Sequence, residues 1–182
     1  MACIWVDENR RIIEADLLWD TLAGSNRAPH LKSDYIRGQS ILKFIKGDPA
    51  KMYIDAILIR VNVSGKPYIL NYRCDSGSYA QLMKMMVSKE RKDRFCIEHD
   101  IVWRKTIRPQ IQFTEDSLAE EQRCAICGKV QFKGEWYDAL TNRRIFGTLT
   151  ELKTRTVVCH SCQDSHPELI LDDDNNVNHY SY

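Results

Sequence analysis

Several features that usually announce a function are missing from this chain. No apolar run among its 182 residues approaches the roughly 20 needed to cross a bilayer as a helix, which excludes an ordinary membrane-spanning helix. Neither sign of charge dominates. The 26 Lys and Arg face 25 Asp and Glu, net +1, so no bulk field draws the chain onto nucleic acid. No glycine-rich phosphate cradle, nucleophile–base pair or open three-ligand metal site can be read along it, and the expectation is a protein that is not an enzyme. The first residues, Met1-Ala-Cys-Ile-Trp-Val-Asp7, are too few and too soon charged for a secretory leader. That predicts a cytoplasmic chain whose thiols stay reduced. What remains is globular material, 43% hydrophobic and 28% charged, enough for one good core and a small appendage.

Cysteine is plentiful. Four of the seven cysteines form two knuckles, Cys124-Ala-Ile-Cys127 and Cys159-His-Ser-Cys162. Two intervening residues let both thiolates of a pair turn toward one point, and two such pairs make a closed sulfur cage of the kind that holds structural zinc. The 31 residues between the pairs make a long loop, but closure entropy grows only logarithmically with length. With four protein ligands no coordination position is left for a substrate, so a single zinc ion would hold a fold together. Disulfides compete with this reading, as does a redox dithiol or an iron–sulfur cluster. The odd total and the reducing compartment weigh against bridges. His160 and His166 lie near enough to replace a cysteine but rank below the four thiolates.

The charge is unevenly placed. Residues 1–104 carry 17 basic and 13 acidic side chains, whereas the segment from Asp164 onward carries five acids and no Lys or Arg. Residues 164–182 therefore read as a polar, mobile, acidic tail.

The apolar pattern changes period along the chain. Cys3–Asp7 and Arg11–Glu14 read as a hairpin about the turn Asp7-Glu-Asn-Arg10. Asp16 caps a helix carrying Leu17, Leu18, Trp19, Leu22 and Ala23. A short helix is expected over Ile36–Ile45. Another follows Asp48-Pro49, with Asp48 as its cap, and runs to about Asn62. Beyond Pro67 the period becomes two. Strands are expected over Tyr68–Cys74 and Tyr79–Lys89, separated by a turn at Asp75–Ser78, and then from Phe95. There Phe95, Ile97, His99, Ile101 and Trp103 alternate with polar neighbours.

Hairpin, helices, then a three-strand meander is an order that resembles a PAS domain. The resemblance covers about residues 2–105. It is carried by Asp7-Glu-Asn-Arg-Arg-Ile-Ile13, by Arg37-Gly-Gln-Ser-Ile-Leu-Lys-Phe-Ile45 and by the long closing strands. A narrower resemblance joins Tyr72-Arg-Cys-Asp-Ser76 and the Met-rich strand after it to small bacterial PAS-like proteins in which a paired-cysteine segment follows. Cys124-Ala-Ile-Cys-Gly-Lys-Val130, Gly134-Glu-Trp136 and the second knuckle are similar to cysteine segments of bacterial sensor proteins. The fold implied is α+β: a five-stranded antiparallel sheet with helices on one face, plus a small four-cysteine zinc module. The expected organisation is a PAS-like domain over 1–105, a helical linker over 106–122, the zinc module over 123–163 and the acidic tail.

In a PAS domain the helix-covered face lines the ligand pocket, which nominates His99, Trp103, Met83 and Met85. His99 could bind haem iron or bond a small ligand, although a satisfied core histidine is the commoner case. No histidine stands between Asp48 and Asn62, where PAS haem ligands commonly sit, and the asparagine-cysteine-arginine context of flavin photochemistry is absent. The pocket ligand is left open. Cys74 lies beside Arg73, yet adjacent strand residues face opposite ways, and an Arg73–Asp75 pair on one face is the simpler reading. Trp136 is expected to cover the cage. Arg143, Arg144, Lys153 and Arg155 could meet phosphates, but Glu135, Asp138 and Glu151 dilute them. The functional expectation is a cytoplasmic sensor or adaptor that signals through a protein partner and forms homodimers. A zinc-ribbon regulator contacting nucleic acid and a thiol redox sensor are the alternatives.

Overall fold

A computed structural model describes residues 1–75, 79–106, 111–139 and 141–169. The expected turn at residues 76–78 and most of the acidic tail lie outside the described residues. Strands β1 (Ala2–Asp7) and β2 (Ile12–Ala15) form the first hairpin, and β3 (Tyr68–Arg73), β4 (Tyr79–Arg91) and β5 (Arg94–Thr106) form the meander. They make one antiparallel sheet in the order β2-β1-β5-β4-β3. The intervening residues hold helices α1 (Leu17–Ser25), α2 (Ser33–Ile36) and α3 (Asp48–Ser64). This is the PAS-like arrangement that the sequence pattern implies.

Local chemistry explains the element ends. The Asp7 carboxylate accepts the backbone N–H groups of Asn9 and Arg11 at 2.8 Å each and closes the hairpin turn. Asp16 accepts the Trp19 N–H at 2.6 Å and caps α1. Helix α3 begins one residue earlier than expected. Gly47, at φ +78°, is the cap, and the Asp48 carboxylate meets Lys51 at 2.8 Å instead. The 36–45 segment does not form one helix. It splits into α2 and a 3₁₀ turn over Ile41–Phe44, because Gly38 takes φ +78° and its N–H bonds back to Ile12.

Ile57, Leu58 and Val61 of α3 pack with Ile4 and Val6 of β1, Leu70 of β3, Met85 and Val87 of β4, and Ile97 of β5. Each such side chain contributes roughly 1.5–3 kcal/mol by leaving water. No helix among the described residues is long and apolar enough to cross a membrane.

The second half is more extensive than a knuckle pair. Strands β6 (Gln112–Glu115), β7 (Gln122–Cys124), β8 (Val130–Phe132), β9 (Glu135–Tyr137) and β10 (Glu151–Val157) form a second sheet in the order β6-β10-β7-β8-β9. β10 runs parallel to both β6 and β7. Ile111, Val130 and Phe146 make its own small core with Phe113, Phe132 and Leu152.

The expected helix over Glu115–Gln122 does not form. That stretch leaves β6, turns at Asp116, whose carboxylate accepts the Leu118 N–H at 3.0 Å, and enters β7. Its apolar residues, Leu118 and Ala119, are too few to give a helix a buried face, and Leu118 is 91% exposed. Pairing with β10 satisfies the backbone instead, with Arg155 N–H on Glu121 O at 2.8 Å and Asp116 N–H on Thr154 O at 3.0 Å.

The two sheets are joined through one core. Cys124, Ile126, Cys159 and Leu169 belong to the same buried cluster as the PAS-like sheet and α3. The Arg73 N–H donates to Ile126 O at 2.7 Å, and the Tyr68 hydroxyl meets His166 Nδ1 at 2.6 Å. A Cβ on Gly47 would stand 2.6 Å from the Thr156 Cβ, so α3 starts hard against β10. The expected tail begins later than predicted. Helix α4 (His160–Asp164) and a 3₁₀ turn at Pro167–Leu169 are ordered structure, with Leu169 buried.

Candidate metal centre and adjoining cavity

The first knuckle is built by backbone bonds at the end of β7. The Cys124 N–H donates to Lys129 O at 2.8 Å, and the Gly128 N–H returns to Cys124 O at 3.0 Å. That closure needs φ +70° at Gly128. The second knuckle leads into α4, where the Cys162 N–H donates to Cys159 O at 2.9 Å. β10 runs parallel to β7, so the chain following it delivers Cys159 beside Cys124.

The four sulfurs lie within 4.8 Å of one another and could hold a metal ion. Cys124 and Cys162 are 3.8 Å apart, as are Cys127 and Cys159. A tetrahedral ion with metal–sulfur bonds near 2.3 Å has sulfur–sulfur edges of about 3.8 Å, so the donor set fits a single ion. The same distance is far too long for a disulfide bond, which spans about 2.05 Å.

Two backbone donors, Ile126 N–H and Cys159 N–H, point at Cys124 Sγ at 3.4 Å. Hydrogen bonds from Cys127 and Cys162 add to them and hold the Cys124 thiol far below its usual range. The hydrogen bond to Cys124 pushes Cys127 up to about 12 and drives Cys162 in the same direction. Thiolates packed this closely repel one another, and a cation among them would relieve that repulsion. Trp136 is half-buried in the apolar cluster that also contains the cage. His166 is engaged by Tyr68 and stands edge-on to Tyr53 at 6.2 Å, and His160 is exposed.

Beside the cage lies a cavity of about 470 Å³. Its inner part is walled by apolar side chains of the sheet and helices, among them Ile4, Trp19, Ile54, Leu70, Met85 and Ile97. Its other end is the seam between the two sheets, where Cys124, Ile126 and Gly128 of the first knuckle form part of the wall. Lys46, Arg73, Asp75, Glu115, Arg123 and Thr156 surround that end. These charges are largely matched. Arg73 bonds Asp75 at 2.9 Å and Asp138 at 3.2 Å, Arg123 reaches Asp75 at 3.3 Å, and Glu115 accepts the Thr156 N–H at 3.1 Å.

Two of the four nominated pocket residues, His99 and Met85, line this cavity. His99 Nδ1 lies 2.9 Å from the Tyr72 hydroxyl, with the Trp19 ring 5.4 Å away. Burial lowers the His99 pKa to about 4 and raises that of Tyr72, so both are neutral at physiological pH.

Met83 and Trp103 are not in the lining. Met83 is buried farther along β4, in register with Tyr72 and Ile101. Trp103 leaves the face because Val102 is a bulge: Met83 pairs with Ile101 while Leu82 pairs with Trp103. Beyond the bulge Gln81 and Arg104 hold the buried side and bond Asn26 at the end of α1, and Trp103 lies under the Arg73 guanidinium at 5.3 Å.

Sequence reasoning missed Tyr72, Trp19 and the knuckle wall. The shared period of Tyr68, Leu70 and Tyr72 was the available signal for the first. The Arg73–Asp75 pair is present as expected, and burial raises the Cys74 thiol, which is unlike an activated nucleophile. In the basic segment before the second knuckle, Lys153 is paired with Asp116 at 3.2 Å, and Arg144 and Arg155 are exposed.

No protein-family model matches this chain, and no curated protein does. Among solved structures, the PAS domain of the RpfR quorum-sensing receptor of Cronobacter turicensis, in complex with C12:0, aligns at a TM-score of 0.45 and 11% identity. That alignment covers 56% of this chain and 93% of that domain. A domain of an HTR-like protein from Haloarcula marismortui aligns at a TM-score of 0.38 and 15% identity, covering 56% of this chain and 97% of the other.

Proposed function

We propose that this protein is a cytoplasmic PAS-type sensor or adaptor, with a small molecule in the cavity as input and a zinc-stabilised module as the responding element. The single observation behind this reading is the shared wall: Cys124, Ile126 and Gly128 border the same cavity as Leu70, Met85 and His99. A ligand that presses on that wall has differential contacts with two positions of the knuckle, which is what a switch requires. Zinc is the metal of choice because four thiolates within 4.8 Å have room for one ion and leave no open position. A structural ion of this kind makes the module rigid enough to present a surface. The signal then leaves by protein–protein contact, with a second copy of the chain as the first partner to look for. Light scattering of concentrated protein should give a dimer, and a monomer would count against that part.

The decisive test fills the cavity. Ala50→Phe adds a ring to the lining near the seam, and Ala50→Leu is the milder version should the first fail to fold. Hydrogen exchange at Cys124–Gly128 and the rate of zinc release to a chelator should both change in a folded variant. If exchange and release match the parent in both variants, cavity and module are uncoupled and the sensor reading falls.

A further inference from the structure

Among the described residues, the apolar part of the cavity lining includes a ring nitrogen that the protein leaves without a partner. His99 Nδ1 is bonded to the Tyr72 hydroxyl at 2.9 Å, and its Nε2 has no partner among the described residues. Two proton arrangements are open to such a pair. If the phenol donates to Nδ1, the imidazole carries its proton on Nε2. If Nδ1–H donates instead, the phenol proton needs an acceptor, and among the described residues Tyr72 has no other bond. The first arrangement leaves no orphaned phenol, so it is the stable one, and it presents an Nε2–H donor from the residue that lines the cavity.

The surroundings limit what can meet that donor. The other side-chain donor nearby, the Trp19 indole, is already bonded to Leu31 O at 2.7 Å. Ile4, Leu70, Met85 and Ile97 supply apolar wall. At the seam Arg73 and Arg123 are matched to Asp75 and Asp138, and the remaining cation of the lining, Lys46, is exposed to solvent. A carboxylate there would have to leave water with only a neutral imidazole as partner.

We propose that the cavity recognises a neutral, largely apolar molecule carrying a hydrogen-bond acceptor such as a ketone, ester or lactone carbonyl, which accepts from His99 Nε2–H while its hydrocarbon body fills the space beneath α3. This rests on the reading of the cavity as a ligand site and narrows it to a chemical class. His99 is a specificity residue here and does not act as a metal ligand.

The test is a titration of the full-length, zinc-loaded chain with three probes of matched chain length: 2-decanone, 1-decene and decanoate. Binding is followed by the ring ¹⁵N resonances of labelled histidine, which report the Nε2 proton directly. The ketone should bind about tenfold tighter than the alkene, the worth of one neutral hydrogen bond, and should move the His99 Nε2 signal. In His99→Phe, which keeps the shape and removes the donor, the ketone should lose that advantage while the alkene keeps its affinity. His99→Gln, which restores a donor, should recover part of it. Tighter binding of decanoate than of the ketone, or unchanged ketone preference in His99→Phe, would overturn the assignment of ligand class and leave the sensor reading standing. No binding of any probe to the parent chain would overturn both.

Discussion

Gly128 meets two demands at one position. Its φ of +70° is unfavourable for any side chain, and a Cβ there would lie 3.0 Å from the Cβ of Arg73 on β3. Gly134 makes only the first demand, since at φ +87° nothing lies within 4 Å of its would-be Cβ. Gly134→Ala should therefore cost about 1–2 kcal/mol, the left-handed penalty alone, and Gly128→Ala distinctly more. Chemical denaturation of the zinc-loaded variants checks this, and equal losses would remove the claim that the knuckle is pressed onto the sheet. His99 gives a prediction in pH. Its folded pKa is lowered to about 4 against an ordinary 6.5, so the folded state resists a proton that the unfolded chain accepts. The stability due to neutral His99 is complete above 6.5 and is lost as pH falls from there toward 4. The full loss is about 3 kcal/mol. Cage cysteines also lose metal in acid, so the measurement is the difference between parent and His99→Phe at each pH. That difference should shift by this amount between pH 7 and pH 4, and a flat difference would mean that His99 is not buried as described.

Elements were legible in the sequence where one period ran uninterrupted. β1, β2 and α3 follow the apolar pattern and pack on the same core, as do Phe95 and Ile97 of β5, whereas in α1 Trp19, Leu22 and Ala23 turn inward and Leu17 and Leu18 are exposed. Reading failed where burial and period parted. The bulge at Val102 changes which side Trp103 faces, and nothing in an alternating run marks a bulge in advance. β10, Glu151–Val157, is polar at most positions, with Thr154 its one fully buried residue, and it pairs with strands far back in the chain. Local pattern carries no trace of such pairing. The cage was legible because two cysteines two residues apart can serve few purposes. What could not be seen is that the cage stands inside the main core. That position sets a prediction for the element it organises. Cys159→Ser should abolish stoichiometric zinc and raise hydrogen exchange most in β7, β8 and β10. The Arg73 N–H of β3, which donates to Ile126 O, should also become less protected, since its acceptor belongs to the same module. Retained zinc in both Cys159→Ser and Cys127→Ser would sink the metal assignment.

For the whole molecule, electrostatics separates the adaptor reading from a nucleic-acid reading. A nucleic-acid binder must set Lys and Arg against phosphates, and its affinity then falls steeply with salt. This chain has a net charge of +1, and several of the cations around the second sheet and the hairpin are paired with acids. Arg73 and Arg123 are tied to Asp75, Lys153 to Asp116, and Arg94 to Glu14 and Glu90. Among the described side chains of the basic segment before the second knuckle, Arg144 and Arg155 stay exposed, a short run of cations to set against phosphates. Labelled duplex and single strands titrated with the full-length protein at physiological salt should therefore show no binding, weaker than the roughly 10⁻⁴–10⁻⁶ M of non-specific binders. Shortening the chain to end at Leu169 keeps that buried residue, removes three acids and no Lys or Arg, and so asks whether an acidic segment masks a basic face. Tight, salt-sensitive binding by the full chain, abolished by joint Arg144→Ala and Arg155→Ala, would replace the adaptor with a zinc-ribbon regulator. Binding that appears only after shortening would make the acidic segment an internal competitor for the same surface, since removing negative charge is then the step that exposes it.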